Sequence, residues 1–471
     1  MIQTGTPSDH HAGIWATLRE AVRGSRIDYT TAPIGRAVIM LAIPMVMEMA
    51  MESIFAIVDV FWVAHLGANA VATVGLTESM LTIIYTAAMG LSIGATALVA
   101  RRTGEHDAAG AARVAGQSIV IGLVVSLVIA LSAAPRAEAL LGLMGASPEV
   151  IQTGSGFTRV MMGGNVTVVL LFLINAVFRG SGDAAIAMRV LWLGNFLNLI
   201  LGPCFIFGLG PFPQLGVMGA AVATNIGRGT AVLYQLVVLS RGNGRVKITA
   251  RDLAIDLSIM RSVLRLSGSG TFQILIGTAS YVGLVRILSA FGSSALAGYT
   301  IGIRVIVFAL LPAFGISNAS ATMVGQNLGA GHPERAEKSV WRAAFINMVF
   351  LAMVTLLFFG LAPYIIQLFT TDELVLKNGI KCLQIVSVGY IFYAYGMVVG
   401  QSFNGAGDTR TPTLISFFGF WIFQIPMAYA LANWFGAGTT GVFSAIPIAE
   451  SLMAVASILI FRQGKWKAVK I

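Results

Sequence analysis

Three carboxylic acids, Glu48, Glu52 and Asp59, interrupt one apolar stretch over residues 37–63. In a helix turning 100° per residue, Glu52 lies about 40° from Glu48 and Asp59 about 20° from it, so all three share one narrow stripe. An ionised acid at mid-bilayer costs roughly 3 kcal/mol on insertion scales, and crowding adds repulsion between like charges. Such a stripe cannot face lipid. It must face a bundle interior or a wet cavity, where a carboxyl poised between neutral and ionised forms can carry a proton or exchange it for a cation. The plainer use of Glu48 and Glu52 is to hold helices together through buried hydrogen bonds. Pro44 lies in the same stretch; its missing N–H and ring clash allow a kink, so it is either a hinge ahead of Asp59 or a static bend.

Fewer chemical groups stand elsewhere in apolar runs. Glu78 and Glu450 are the other acids there, joined by Asn175, Asn195, Asn198 and Thr224 in the first half and Gln273, Arg304, Gln401 and Gln424 in the second. Of these, Glu78, Asn175, Asn195, Gln273, Arg304, Gln401 and Glu450 are candidates to line a substrate cavity. Arg304 needs a partner, and Glu450, the lone acid in the apolar runs of the second half, is the candidate. Cys204 and Cys382 are far apart, and the five histidines show no ligand spacing, so neither a metal site nor a disulfide framework is expected. Gly154-Ser155-Gly156 and Ser267-Gly268-Ser269-Gly270 lack a His or Lys partner within the apolar runs, which argues against an intramembrane enzyme. No cofactor is expected.

The elements that position these groups follow from composition. With 56% hydrophobic and 11% charged residues and a mean hydropathy of +0.83, the chain has too little polar surface to be a soluble particle. Runs long enough to cross the bilayer as helices lie at 37–63, 71–99, 114–134, 158–178, 189–209 and 217–240, then at 263–288, 294–322, 340–362, 380–402, 412–433 and 441–461. If the N-terminus is cytoplasmic, 23 of the 30 Lys and Arg residues, Arg179 among them, fall on that side and 5 on the other. This bias predicts both termini in the cytoplasm and explains the +10 charge without nucleic acid. Residues 1–35 have no apolar core of a cleavable signal; Trp15, Leu18 and Val22 form either one stripe of a surface helix or part of a frayed tail.

The chain also repeats itself. Phe178-Arg179-Gly180-Ser181-Gly182-Asp183 recurs as Phe403-Asn404-Gly405-Ala406-Gly407-Asp408, shifted by 225 positions. The same shift pairs Gly67 with Gly292, Gly90 with Gly315, Gly104 with Gly329 and Gly216-Val217 with Gly441-Val442. Six spans per half is an even number, so the halves are parallel repeats, a pattern of transporters. The expected fold is all-α and integral to the membrane, with twelve transmembrane helices in two pseudo-symmetric six-helix lobes. The divisions are a tail at 1–35, lobes at 36–240 and 259–462, a polar linker at 241–258 and a tail at 463–471. Gly-x-Gly-Asp ends the fourth span of each half, the glycine supplying a positive φ and Asp183 or Asp408 capping the next helix. The 53 glycines fit close helix packing.

Ile43-Pro44-Met45, Val58-Asp59-Val60-Phe61-Trp62-Val63 and Leu66-Gly67 together resemble the first helix of the multidrug and toxic compound extrusion (MATE) family. Phe178 to Asp183, Gly216 to Ala221 with Ala223-Thr224, Arg304-Val305 with Pro312-Ala313 and Gly315, and Val324 to Gly331 continue the resemblance over about 36–462. It implies a secondary transporter of the cell (plasma or inner) membrane. Such a protein expels amphipathic, mostly cationic drugs by alternating access in exchange for H⁺ or Na⁺, and it works as a monomer. Asp59 then couples the ion, Pro44 bends the helix, and Asn198 and Thr224 join Asp59 in the cation site, with Glu52 and Glu48 as neighbouring acids. Aromatic and methionine side chains suit the cavity of such a carrier. The chain departs from the family in having Gly202 before Pro203 where an Asp is common, which removes a carboxylate ligand for Na⁺ and favours H⁺. Residues 263–288 and 380–402 contain no acid, so coupling falls to the first lobe. A flippase for lipid-linked oligosaccharides is the alternative, and would call for a basic cavity.

Overall fold

A computed structural model describes residues 14–24 and 27–471, the side chains of residues 14, 55–60 and 64 excepted. Among the described residues the regular structure is helical throughout. The first half comprises α1 (Ile14–Arg23), α2 (Ile34–Ala64), α3 (Ala68–Gly104), α4 (Ala108–Ala133), α5 (Ala137–Leu143), α6 (Pro148–Gly163), α7 (Val166–Ser181), α8 (Ala184–Phe207) and α9 (Val217–Arg241). The second comprises α10 (Leu257–Ser289), α11 (Ser293–Gly329), α12 (Pro333–Gln367), α13 (Glu373–Val388), α14 (Tyr390–Ala406), α15 (Arg410–Phe417), α16 (Ile425–Tyr429) and α17 (Gly438–Arg462).

Among the described residues ten helical segments are long and apolar enough to cross a membrane, and the pair α13–α14, bent by 60°, makes an eleventh. The twelfth is α9, 25 residues long, whose Thr224, Asn225 and Arg228 lower its hydropathy. Apolar runs mark only the middles of these helices. At 37 residues each, α3 and α11 extend about 55 Å, well past a ~30 Å hydrocarbon layer, so their polar ends project beyond it. Residues 418–424 and 430–434 are π-helical rather than α-helical, flanking Pro426, whose nitrogen cannot donate to the ladder.

The repeat in sequence is a repeat in space. Gly90 on α3 meets Thr271 of α10, and Gly315 on α11 meets Val46 of α2; both members of each pair differ by 225. Gly180 against Thr96 and Gly405 against Ala321 repeat the pattern inside the halves. At all four a Cβ would overlap the neighbouring backbone, so the helices touch main chain to main chain. Gly405→Val is therefore expected to push α14 off α11 and destabilise the protein by about 1–3 kcal/mol. Gly360→Val, which meets nothing within 4 Å, is the control. Thermal unfolding of the two purified variants checks the difference.

The repeated corner differs between its copies. Gly182 (φ 92°) and Gly407 (φ 86°) both end their helices in the left-handed conformation, as expected. Asp408 caps α15, accepting from Thr411 N at 3.2 Å and Thr411 Oγ1 at 2.6 Å. Asp183 makes no such cap for α8. It accepts instead from the backbone N of Arg245 at 2.5 Å, with the Arg245 Nε 3.5 Å away, and so ties the linker to the α7–α8 corner.

Each half lends its first helix to the other. Ala37, Val38, Leu41 and Met45 of α2 are buried in a core with Ile316 and Met323 of α11 and Val340 of α12. Reciprocally, Val263 and Leu266 of α10 join the core of the first half. At the end that bears both termini the halves are also hydrogen-bonded. Thr322 Oγ1 donates to Arg179 O (3.1 Å), Gln326 Nε2 to Gly180 O (2.8 Å) and Arg101 Nη2 to Ala406 O (3.1 Å). The C-terminal segment lies across this seam. Trp466 stacks on Phe461 with ring centres 4.5 Å apart, and Lys467 bonds Glu337 (2.6 Å) and Glu334 (3.0 Å), while Val469 O accepts from Arg101. The hydrogen bond from Lys467 holds the Glu337 carboxyl below its usual range, and those to Glu337 and Glu334 hold Lys467 above its own. The first contribution is lost only as acid is added below the Glu337 value, the second only in strong alkali, so these bonds persist across neutral pH.

Candidate functional site

The acid stripe of α2 divides in the structure. Glu48 is 1% exposed, so it does not face a wet chamber. Its Oε1 accepts from Arg179 Nη1 at 2.9 Å and Asn175 Nδ2 at 3.1 Å, both on α7. Asn175 Oδ1 in turn accepts from Gln235 Nε2 of α9 at 2.6 Å, and Glu48 Oε2 is buried with no hydrogen-bond partner among the described residues. The bland reading of Glu48, a buried tie between helices, is thus part of what it does. Glu52, one turn on, is half-buried and within Coulombic reach of Arg228 on α9 and of Glu48. Asp59 belongs to α2, but its side chain lies outside the described residues.

Asn198 and Thr224, two of the positions that the family resemblance puts in a cation site, touch each other: Asn198 Nδ2 donates to Thr224 Oγ1 at 3.0 Å, joining α8 to α9. Both are buried, and Gly202 opens onto them, because a Cβ there would stand 3.7 Å from Asn198 Oδ1 and 3.8 Å from the Trp62 ring. Asn195, on the same helix, is buried with Nδ2 unpartnered among the described residues. Pro44 lies inside α2, which stays helical through it. It marks the passage from the half packed on α11 and α12 to the half facing α8, where Trp192 Nε1 donates to Met47 O at 3.3 Å.

A cavity of about 470 Å³ lies between the halves. Its wall includes the methionine and aromatic side chains Met49, Met89, Phe172, Phe314 and Phe420 among smaller apolar and polar residues. Of the seven cavity candidates it takes in Gln273, Gln401 and Glu450, the last beside Tyr393. Asn404 Nδ2 donates to Gln401 Oε1 (2.9 Å) and Gln273 Oε1 (3.3 Å), so these amides form one cluster. The other four are elsewhere. Asn175 is in the Glu48 network, Asn195 is buried on α8, and Glu78 is exposed on α3, within Coulombic reach of Arg304 and Arg228. Arg304 therefore stands by Glu78 and Tyr281, and the proposed Arg304–Glu450 pair does not form. Sequence reasoning missed Arg179, which it had placed outside the apolar runs. Yet Arg179 is buried, lines the cavity and neutralises Glu48. Among the described residues no group of three His, Cys, Asp or Glu could hold a metal ion.

A cavity between two repeated helical halves, with methionine, aromatic and polar side chains in its wall, is a carrier's geometry. Comparison with known proteins gives it a family. The MatE family matches residues 44–204 and 271–430, one segment in each half. The chain is 25% identical over 437 residues to the "Probable multidrug resistance protein NorM" of Thermotoga maritima, covering 92% of this chain and 93% of that protein. It is 26% identical over 435 residues to an FAD transporter of Shewanella oneidensis, covering 90% and 94%. A solved outward-facing structure of a multidrug resistance MATE transporter superposes with a TM-score of 0.86 at 27% identity, covering 92% of this chain and 96% of that one. With both halves matched in order and the twelve-helix architecture in common, the chain belongs to the MATE family of multidrug efflux transporters.

Proposed function

We propose that this protein is an H⁺-coupled antiporter that exports amphipathic, mostly cationic organic compounds across the cell membrane. The observation that carries the reading is the layout of α2, which holds Glu48, Glu52 and Asp59 beyond Pro44 in the first lobe and packs its opening turns into the second lobe. A change of charge on the acidic half can reach the other lobe through that helix.

With the termini cytoplasmic, as the distribution of Lys and Arg favours, the hydrogen-bonded seam is a cytoplasmic gate held shut in the described state. A proton entering from outside neutralises Asp59, aided by Glu52. The helix then bends at Pro44 and the cavity loses its fit for a cation held by Glu450 and the aromatic wall. Neutral Glu52 and Asp59 require no counter-charge, so the helix can move within the first lobe without exposing an ion to lipid. The carrier acts as a monomer.

Na⁺ coupling is the second reading, favoured by the Asn198–Thr224 pair, whose oxygens are of the hard type that binds Na⁺. Oligosaccharide flipping finds little support, because the cavity's arginine, Arg179, is neutralised by Glu48. Proteoliposomes loaded with ethidium, with ΔpH and ΔNa⁺ imposed separately, test the proposal. Transport is expected under ΔpH alone. Transport under ΔNa⁺ alone would replace H⁺ by Na⁺, and movement under neither would refute antiport.

A further inference from the structure

The two halves treat one repeated position differently. Glu48 and Arg179, shifted by 225, become Gln273 and Asn404. Both pairs are in contact: Arg179 Nη1 donates to Glu48 Oε1 at 2.9 Å, and Asn404 Nδ2 donates to Gln273 Oε1 at 3.3 Å. The second lobe therefore bridges the equivalent helices, α10 and α14, with neutral groups, so an ion pair is not needed to hold this corner. A buried ion pair often adds little stability over neutral packing, while losing one partner is costly. The charge stands only in the lobe whose first helix also carries Glu52 and Asp59, which points to use in the cycle.

We infer that Arg179 is a positioning residue of the transport cycle, linking through Glu48 the charge of the first helix to the seam that closes the cavity. The inference rests on the antiporter reading. Its geometry runs through one short segment. On one side the Arg179 guanidinium meets Glu48; on the other, its carbonyl accepts from Thr322 of α11 and the next carbonyl, that of Gly180, accepts from Gln326. These are bonds of the seam itself. Arg179 and Glu52 are the charged groups that bear on Glu48, so a proton arriving at this cluster changes the field at the pair. When Glu48 is neutral, the guanidinium is left without a counter-ion in a low-dielectric site. The cavity that Arg179 lines is its open side. As the side chain turns there, the last turn of α7 shifts and the bond to Thr322 loosens. The seam then opens only after the charge on α2 has changed.

The second lobe supplies the test. Glu48→Gln/Arg179→Asn transplants its neutral pair into the first lobe, and Arg179→Lys keeps the charge. Ethidium transport under ΔpH in proteoliposomes gives turnover and KM, and equilibrium binding of ethidium to the purified protein gives Kd. The transplant is expected to bind ethidium within about threefold of wild type while turnover falls at least tenfold, a loss confined to the moving steps. Arg179→Lys should retain most turnover. Thr322→Val, which removes the seam bond and leaves the pair intact, should also lower turnover at unchanged Kd. A transplant with wild-type turnover, or Thr322→Val with wild-type turnover, overturns the inference. If the transplant does not fold, Thr322→Val and Arg179→Lys decide it alone. Wild-type protein that moves no ethidium under any gradient refutes the antiporter reading and this inference with it, whereas a wild-type-like transplant refutes only the link.

Discussion

Asp59→Asn is expected to abolish ΔpH-driven efflux, lowering turnover by at least roughly 100-fold, while ethidium still binds. The substitution keeps the size and shape of the side chain and removes its charge and its titration. An ion gradient can drive a cycle only through a group whose affinity for that ion differs between the two conformations; a side chain that binds no proton shifts no population. Asp59 is singled out from its neighbours by what they do. Glu48 is sealed in an ion pair with Arg179, and Glu52 shares the field of Arg228. Proteoliposome assays with an imposed ΔpH, paired with equilibrium ethidium binding, check both halves of the expectation. Turnover within threefold of wild type would remove Asp59 from the coupling path and leave Glu52 as the acid to test.

How much of this was legible in the chain depends on whether one residue or a pair carries the signal. The twelve spans, the two lobes and the positive-φ corners could be read because each depends on local hydropathy or on a glycine repeated at a fixed shift. The Asn198–Thr224 contact came from the family pattern and is found at 3.0 Å. Helix ends were misjudged for a physical reason: α3 and α11 run past the bilayer, and hydropathy stops where the lipid does. Partner choice was the larger gap. Glu48 needed a cation, and the nearest in the fold is Arg179, 131 positions away, hidden because its basic side chain read as a flank of the fourth span. The repeat held the clue, since Gln273 and Asn404 occupy the equivalent positions, but only coordinates show that each pair touches. Arg304 was matched to Glu450 because both were isolated charges in one half; the structure instead sets Arg304 by Glu78 of the other half. Asp183 and Asp408 occupy equivalent corners, yet only Asp408 caps its helix, because the linker follows the first lobe and offers Arg245 to Asp183.

Gly202→Asp should convert the coupling preference, giving ethidium transport under ΔNa⁺ alone and a Na⁺-dependent rise in thermal stability, both absent from wild type. The position faces the Asn198–Thr224 pair, and a Cβ there stands in ordinary van der Waals contact with Asn198 Oδ1 and Trp62, so a side chain can enter without displacing α8. An Asp would add a carboxylate to the amide and hydroxyl oxygens already gathered between α8 and α9. Na⁺ is a hard cation that takes several oxygen ligands, and an added carboxylate supplies the affinity that neutral oxygens lack. Because ligand binding to the folded state stabilises it by RT ln(1 + [L]/Kd), a 100-fold excess of Na⁺ over Kd should add about 2.7 kcal/mol. K⁺ at equal ionic strength is the control that separates binding from screening. Gly202→Asn, which adds an amide of similar size without charge, should give neither effect. If Gly202→Asp folds and transports under ΔpH yet gains no response to Na⁺, the cation site does not lie between α8 and α9, and the Asn198–Thr224 bond is a structural tie between two helices.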